Sequence, residues 1–204
     1  MHNLFSIDGK MYQALNTAWQ LIELNLIFML ASLPLVSVGA SLSAMYAVAF
    51  QIRAEGSVPV WSRFWKAWKA NAKQASVLWA LQIALAVLMV LGYWAISTMS
   101  HGATIVLMLA CVLIALVILA SCYWYPLSSR YSLTISQIVT YSFIYGIRHV
   151  WQSAAMVIIA IVILGYVPIF QLRLLFIWAF FGFSLTAYLH TWLLQLVFDR
   201  YDEH

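Results

Sequence analysis

The side chains able to do acid–base or metal chemistry are few and scattered. The histidines are His2, His101, His149, His190 and His204; the carboxylates are Asp8, Glu23, Glu55, Asp199, Asp202 and Glu203. No two histidines stand at metal-ligand spacing, and no cysteine or carboxylate joins one at such spacing. The sequence has no glycine-rich phosphate loop, nucleophile elbow or zinc-protease pattern. It therefore calls for no catalytic set, no cofactor and no metal. Three of the carboxylates share the C-terminal tail, where water can solvate them. Glu23 differs, because it stands inside a long apolar run, where a charged side chain costs roughly 3 kcal/mol or more. It must face the bundle interior, pair, or keep its proton. Asn25, Gln82, His190 and Gln195 are the other polar groups inside such runs. Glu23 and His190 would make a buried contact between the first and last helices. As interhelical glue such a contact contributes about 0.6–2 kcal/mol; as a substrate or proton site it would serve a carrier.

The cations form a different pattern. Arg53, Arg63, Lys66, Lys69 and Lys73 crowd into one short window with Glu55. At 100° per residue, Trp61, Phe64, Trp65, Trp68 and Ala72 fall within roughly 100° of arc, and Arg63, Lys66, Lys69 and Lys73 fall on the other side. Pro59 suits a first helical turn. The spacing predicts a basic amphipathic helix over 61–75 lying in a membrane interface. Trp61, Trp65 and Trp68 would meet lipid or the bundle. The cations would face a partner or anionic lipid. The segment is either an anchor or a docking surface.

The elements that must position these groups follow from composition. The chain is 65% hydrophobic and 8% charged, against roughly 25% charged in soluble domains. So few charges cannot keep a soluble surface wet, and membrane lipid must be much of the solvent. The net charge of +4 is the surplus expected of loops held on the cytoplasmic side, and no soluble basic domain exists to bind nucleic acid. Cys111 and Cys122 are eleven residues apart in one apolar stretch, about 16 Å along a helix and beyond disulfide reach. One integral membrane domain is expected over 1–204.

Apolar stretches run over 11–53, 75–97, 103–127, 151–167 and 174–198. The first is too long for one span. Pro34 and the restricted Leu33 divide it, giving a hairpin of helices over 11–32 and 37–53, or else one span with a broken half. The hairpin leaves Arg173 as the only cation outside; the single span adds Lys10. The fold expected is an all-α polytopic bundle of about six membrane helices, five if the first stretch crosses once, with the C-terminus cytoplasmic. A parallel repeat of low identity relates the halves at an offset of 79, with Tyr46 on Tyr125, Phe64 on Phe143, Lys69 on Arg148 and Ala75 on Ala154.

Residues 24–79 carry a family likeness. Leu24-Asn25-Leu26, Leu33-Pro34, Val38-Gly39-Ala40, Ala44-Met45-Tyr46 and Arg53-Ala54-Glu55-Gly56 resemble the start of the YesL family, as do Phe64-Trp65, Trp68, Asn71, Gln74 and Trp79. These are bacterial integral membrane proteins of unknown function. Glu23 stands where the family usually has an aromatic or apolar residue. Members occur beside sugar-uptake ABC transporters and polysaccharide-degrading enzymes. The resemblance thus implies a bacterial cell membrane and a role in carbohydrate import. No EAA-type coupling loop is legible, so the expectation is a non-enzymatic accessory subunit partnered by an ABC permease. The alternative is a small-solute carrier or channel in its own right, resting on the broken first stretch, the repeat and Glu23.

Overall fold

The computed structural model describes residues 10–97 and 103–202. Helix α1 (Lys10–Ala31) ends before Pro34, and a short 3-10 turn, Leu35–Ser37, leads into α2 (Val38–Glu55). The Ser37 hydroxyl lies 2.6 Å from the Ala31 carbonyl and 2.7 Å from that of Pro34, so its one proton can answer the Ala31 acceptor left open where α1 stops. The broken first stretch is therefore a hairpin. Helix α3 (Val60–Ser97) follows a tight connection, and α4 (Ala103–Arg130) comes next. Then come α5 (Ile135–Arg148), α6 (Val150–Ala160), a π-helical segment (Ile161–Tyr166), α7 (Val167–Phe170) and α8 (Leu175–Asp202). No strand occurs among the described residues, and six helical runs are long and apolar enough to cross a membrane.

Helix α2 is the centre of the molecule. Gly39, Ala40, Ser41, Ser43, Ala44, Ala47 and Ala49 are all buried. Small side chains let neighbouring backbones come close without a solvophobic drive, as membrane helices require. One core cluster joins Leu24, Ile27 and Phe28 of α1 to Ala44, Val48 and Ile52 of α2, Phe64 of α3 and Ala187 of α8. A second joins Tyr123, Trp124 and Leu127 of α4 to Ile138 of α5, Met156 of α6 and Leu194 and Phe198 of α8.

Two expectations are corrected. The basic segment 61–75 is not a separate helix lying in the interface. It is the first half of α3, which runs unbroken for 38 residues, about 57 Å at 1.5 Å per residue. No Gly or Pro interrupts 60–91, and Gln74 and Ser76 are satisfied by carbonyls of other elements, Leu133 and Val36, so nothing breaks the rod. The fourth span does not end at Pro168 either; helical backbone continues through Val150–Phe170. Pro168 has no N–H for the carbonyl a turn before it. The chain widens into the π segment there, and the Trp178 indole donates to the Ile163 carbonyl at 2.7 Å.

Two helix–turn–helix hairpins, α2–α3 and α4–α5, occupy the places where the repeat is expected, but not at its offset of 79. Their boundaries pair Glu55 with Arg130 and Val60 with Ile135, about one helical turn short of the sequence offset. The second hairpin carries a capping box, in which Thr134 N–H donates to Gln137 Oε1 at 2.9 Å and Gln137 N–H to Thr134 Oγ1 at 3.4 Å. It then breaks at His149 (φ −119°, ψ 50°), where α3 has no break. Charge bias predicts that both hairpin connections face the cytoplasm. Single cysteines at the exposed Ser57 and Ser132 should be labelled by an impermeant maleimide only after the inner face is opened. Labelling in intact cells would reverse the orientation.

Candidate functional site

The connection between α2 and α3 is held by α1. Gly56 has φ +75°, a value that suits glycine, and its N–H caps Ile52 at 2.9 Å. Its carbonyl accepts from Gln20 Nε2 at 2.9 Å, while Gln20 Oε1 accepts from Val58 N–H at 3.0 Å. One buried amide thus satisfies both sides of the loop. Sequence reasoning passed over Gln20; the available signal was a polar residue one turn from Glu23 on an apolar helix.

The clamp places the basic half of α3 against α2. Phe64 is fully buried in the first core cluster, and Trp65 and Trp68 pack on it partly buried. Trp61 stays exposed, edge-on to Trp65 at 5.9 Å. Three of these four aromatics therefore serve the bundle. On the other side Lys66, Lys69 and Lys73 are exposed. Arg63 is not equivalent to them, because its Nη2 lies 3.6 Å from Glu55 Oε2. A half-exposed pair like this contributes little stability, but it directs Arg63 toward the loop.

The buried polar residues separate into two roles that differ from the expected ones. Glu23 and His190 do not meet. Glu23 sits half-buried on the margin of α1 and makes no hydrogen bond or ion pair with described residues. Asn25, fully buried, joins the first and last helices instead. Its Nδ2 donates to the Ala179 carbonyl at 2.7 Å, and its Oδ1 accepts from Phe183 N–H and Ser184 N–H, each at 3.0 Å. The reason is rotation. On α1, Leu21, Leu24, Asn25 and Phe28 share the inward face, and Glu23 is turned well away from it.

His190 links three helices. Its Nε2 is 2.9 Å from the Met156 carbonyl and its Nδ1 is 2.8 Å from the Tyr46 hydroxyl. A carbonyl only accepts, so the neutral ring carries its proton on Nε2, and Tyr46 donates to Nδ1. The chain from α2 through α8 to α6 uses both nitrogens of the ring. Other paired hydroxyls do similar work: Ser43 with Ser128 at 3.1 Å, Tyr123 with Ser153 at 2.8 Å, and Tyr125 donating to Gln82 at 2.7 Å.

These features define an all-α, multi-pass membrane bundle with a lysine-bearing helix face beside its central helix. Residues 21–93 match the model of a family described as protein of unknown function, DUF624, which is the YesL-type family. The matched region takes in the second half of α1, the whole of α2 and nearly all of α3. No curated protein and no solved structure matches the chain.

Proposed function

We propose that this chain is a YesL-type, non-enzymatic subunit of the bacterial cell membrane, accessory to a carbohydrate import system of the ABC class. It docks on the cytoplasmic side of its partner through Lys66, Lys69 and Lys73. The observation that carries the reading is the division of labour on α3. Its aromatic face is used inside the bundle, while its lysines have no use there. Near an acidic protein surface or anionic lipid each lysine contributes about 1 kcal/mol. The family match over 21–93 covers this helix, and the sugar-import context comes from the resemblance of residues 24–79.

The test is recovery of partners from native membranes in mild detergent. Converting Lys66, Lys69 and Lys73 together to Gln should leave a folded, inserted protein, since none of them supports the core. Recovery of permease subunits should fall at least tenfold, and recovery by the parent protein should fall as salt rises. Arg63 is left intact to keep its pair with Glu55. Equal recovery by the triple variant would reduce the helix to an anchor and remove the docking reading. The carrier alternative would rest on Glu23 alone, without His190, and a Glu23→Gln variant of unchanged activity would remove it.

A further inference from the structure

At the α2–α3 connection, α1, the last turn of α2 and Tyr188 of α8 border an open cleft of ~510 Å³, within the usual size range of small-molecule sites. Arg53 stands in its wall and is held in place from two sides. Its Nε donates to Gln195 Oε1 at 2.6 Å, and its guanidinium lies over the Tyr188 ring, 5.3 Å from the centroid. Among the described residues its two terminal nitrogens have no partner. A guanidinium pinned through Nε and stacked on a ring offers its remaining N–H groups as a fixed fork, the arrangement that takes two oxygens of one phosphate. Glu55, the carboxylate among the lining residues, pairs with Arg63. The rest of the wall is uncharged: Gln13, Asn16, Thr17 and Ser57 supply donors and acceptors beside the apolar Ile52 and Ala54, and Tyr12 is an exposed ring. Such a lining suits hydroxyl groups.

We infer that this cavity binds a phosphate-bearing, hydroxyl-rich group, with the phosphate on Arg53 and the hydroxyls on the amide and hydroxyl side chains of α1. Arg53 lies in the last turn of the apolar run Leu35–Glu55, at the boundary between the apolar layer and water. The ligand comes either from solution, as a sugar phosphate, or from the bilayer, as an inositol or glycerol headgroup. The site is separate from the lysine face, and its test leaves those lysines unchanged.

The experiment uses the full chain, purified in mild detergent and in nanodiscs. Glucose 6-phosphate and glucose are titrated in detergent, and phosphatidylinositol is compared with phosphatidylcholine in nanodiscs by native mass spectrometry. A soluble source predicts saturable binding of glucose 6-phosphate and none of glucose. A headgroup source predicts retained phosphatidylinositol and no glucose 6-phosphate binding. In either case Arg53→Lys should weaken binding at least tenfold, because a lysine loses both the fork and the bond to Gln195. Gln13→Trp, which fills the cavity without touching Arg53, should do the same in a protein of unchanged melting temperature. Binding of neither phosphate probe by the parent protein overturns the inference. So does binding that both variants retain.

Discussion

A methyl group at position 39 should separate α2 from α3. A Cβ built on Gly39 would stand 2.2 Å from the Ala75 carbonyl oxygen and 2.7 Å from Trp79 Cβ. The first obstacle is backbone in the middle of a continuous helix, so no rotamer change can make room. Overpacking of this kind costs about 3 kcal/mol, and Gly39→Ala should lower the melting temperature in detergent by roughly 6–12 °C. Gly146 is the internal control. It holds a similar place between α4 and α5, yet a Cβ there would meet Ala120 at an ordinary 3.5 Å. Gly146→Ala should be neutral, or stabilising by up to about 1 kcal/mol, through the lower entropy of the unfolded chain. Equal melting temperatures for the two variants would show that the α2–α3 contact is looser than described.

The second large effect is expected at Asn25. Asn25→Leu removes one donated and two accepted hydrogen bonds to α8 and puts a branched side chain where a flat amide lay. Loss of these interhelical bonds costs about 2 kcal/mol. The readout is a lower melting temperature together with faster proteolysis of α8. Glu23→Gln, two residues away, should change the melting temperature by less than about 1 °C, since a group with no partner loses none. If Gln at 23 proved as damaging as Leu at 25, the assignment of the α1–α8 contact to Asn25 would be wrong.

These two neighbours show how far the sequence could be read. Apolar length was enough for an all-α bundle of about six membrane helices, and Pro34 and the cation bias favoured a hairpin at its start over one broken span, because those signals depend only on composition along the chain. The rotation of α1 was not legible. A helix as apolar as Met11–Ala31 shows little contrast between its faces, so a charge draws attention wherever it points, and Glu23 outweighed Asn25. Tyr46 and His190 lie 144 residues apart, and no local pattern could pair them. The basic helix was recognised by its periodicity, but periodicity does not report where a helix ends. With no breaker between the amphipathic and apolar parts, one rod was the physically simpler outcome. The Arg53 cavity was invisible for a different reason: it is assembled from α1, the end of α2 and the middle of α8.

The unbroken α3 has a mechanical meaning. A straight helix with no joint behaves as a lever. Its lysine end and its apolar end form one stiff body, and α2 is clasped along the first half with its close approach at Ala75. A pull or tilt imposed at Lys66–Lys73 is therefore carried to residues 77–97, roughly 30 Å away along the axis, with little loss to bending. The corresponding run in the second half is not one rod: it is broken at His149 and widened by the π segment before α7. One half of the molecule can transmit displacement across the bilayer, and the other can absorb it.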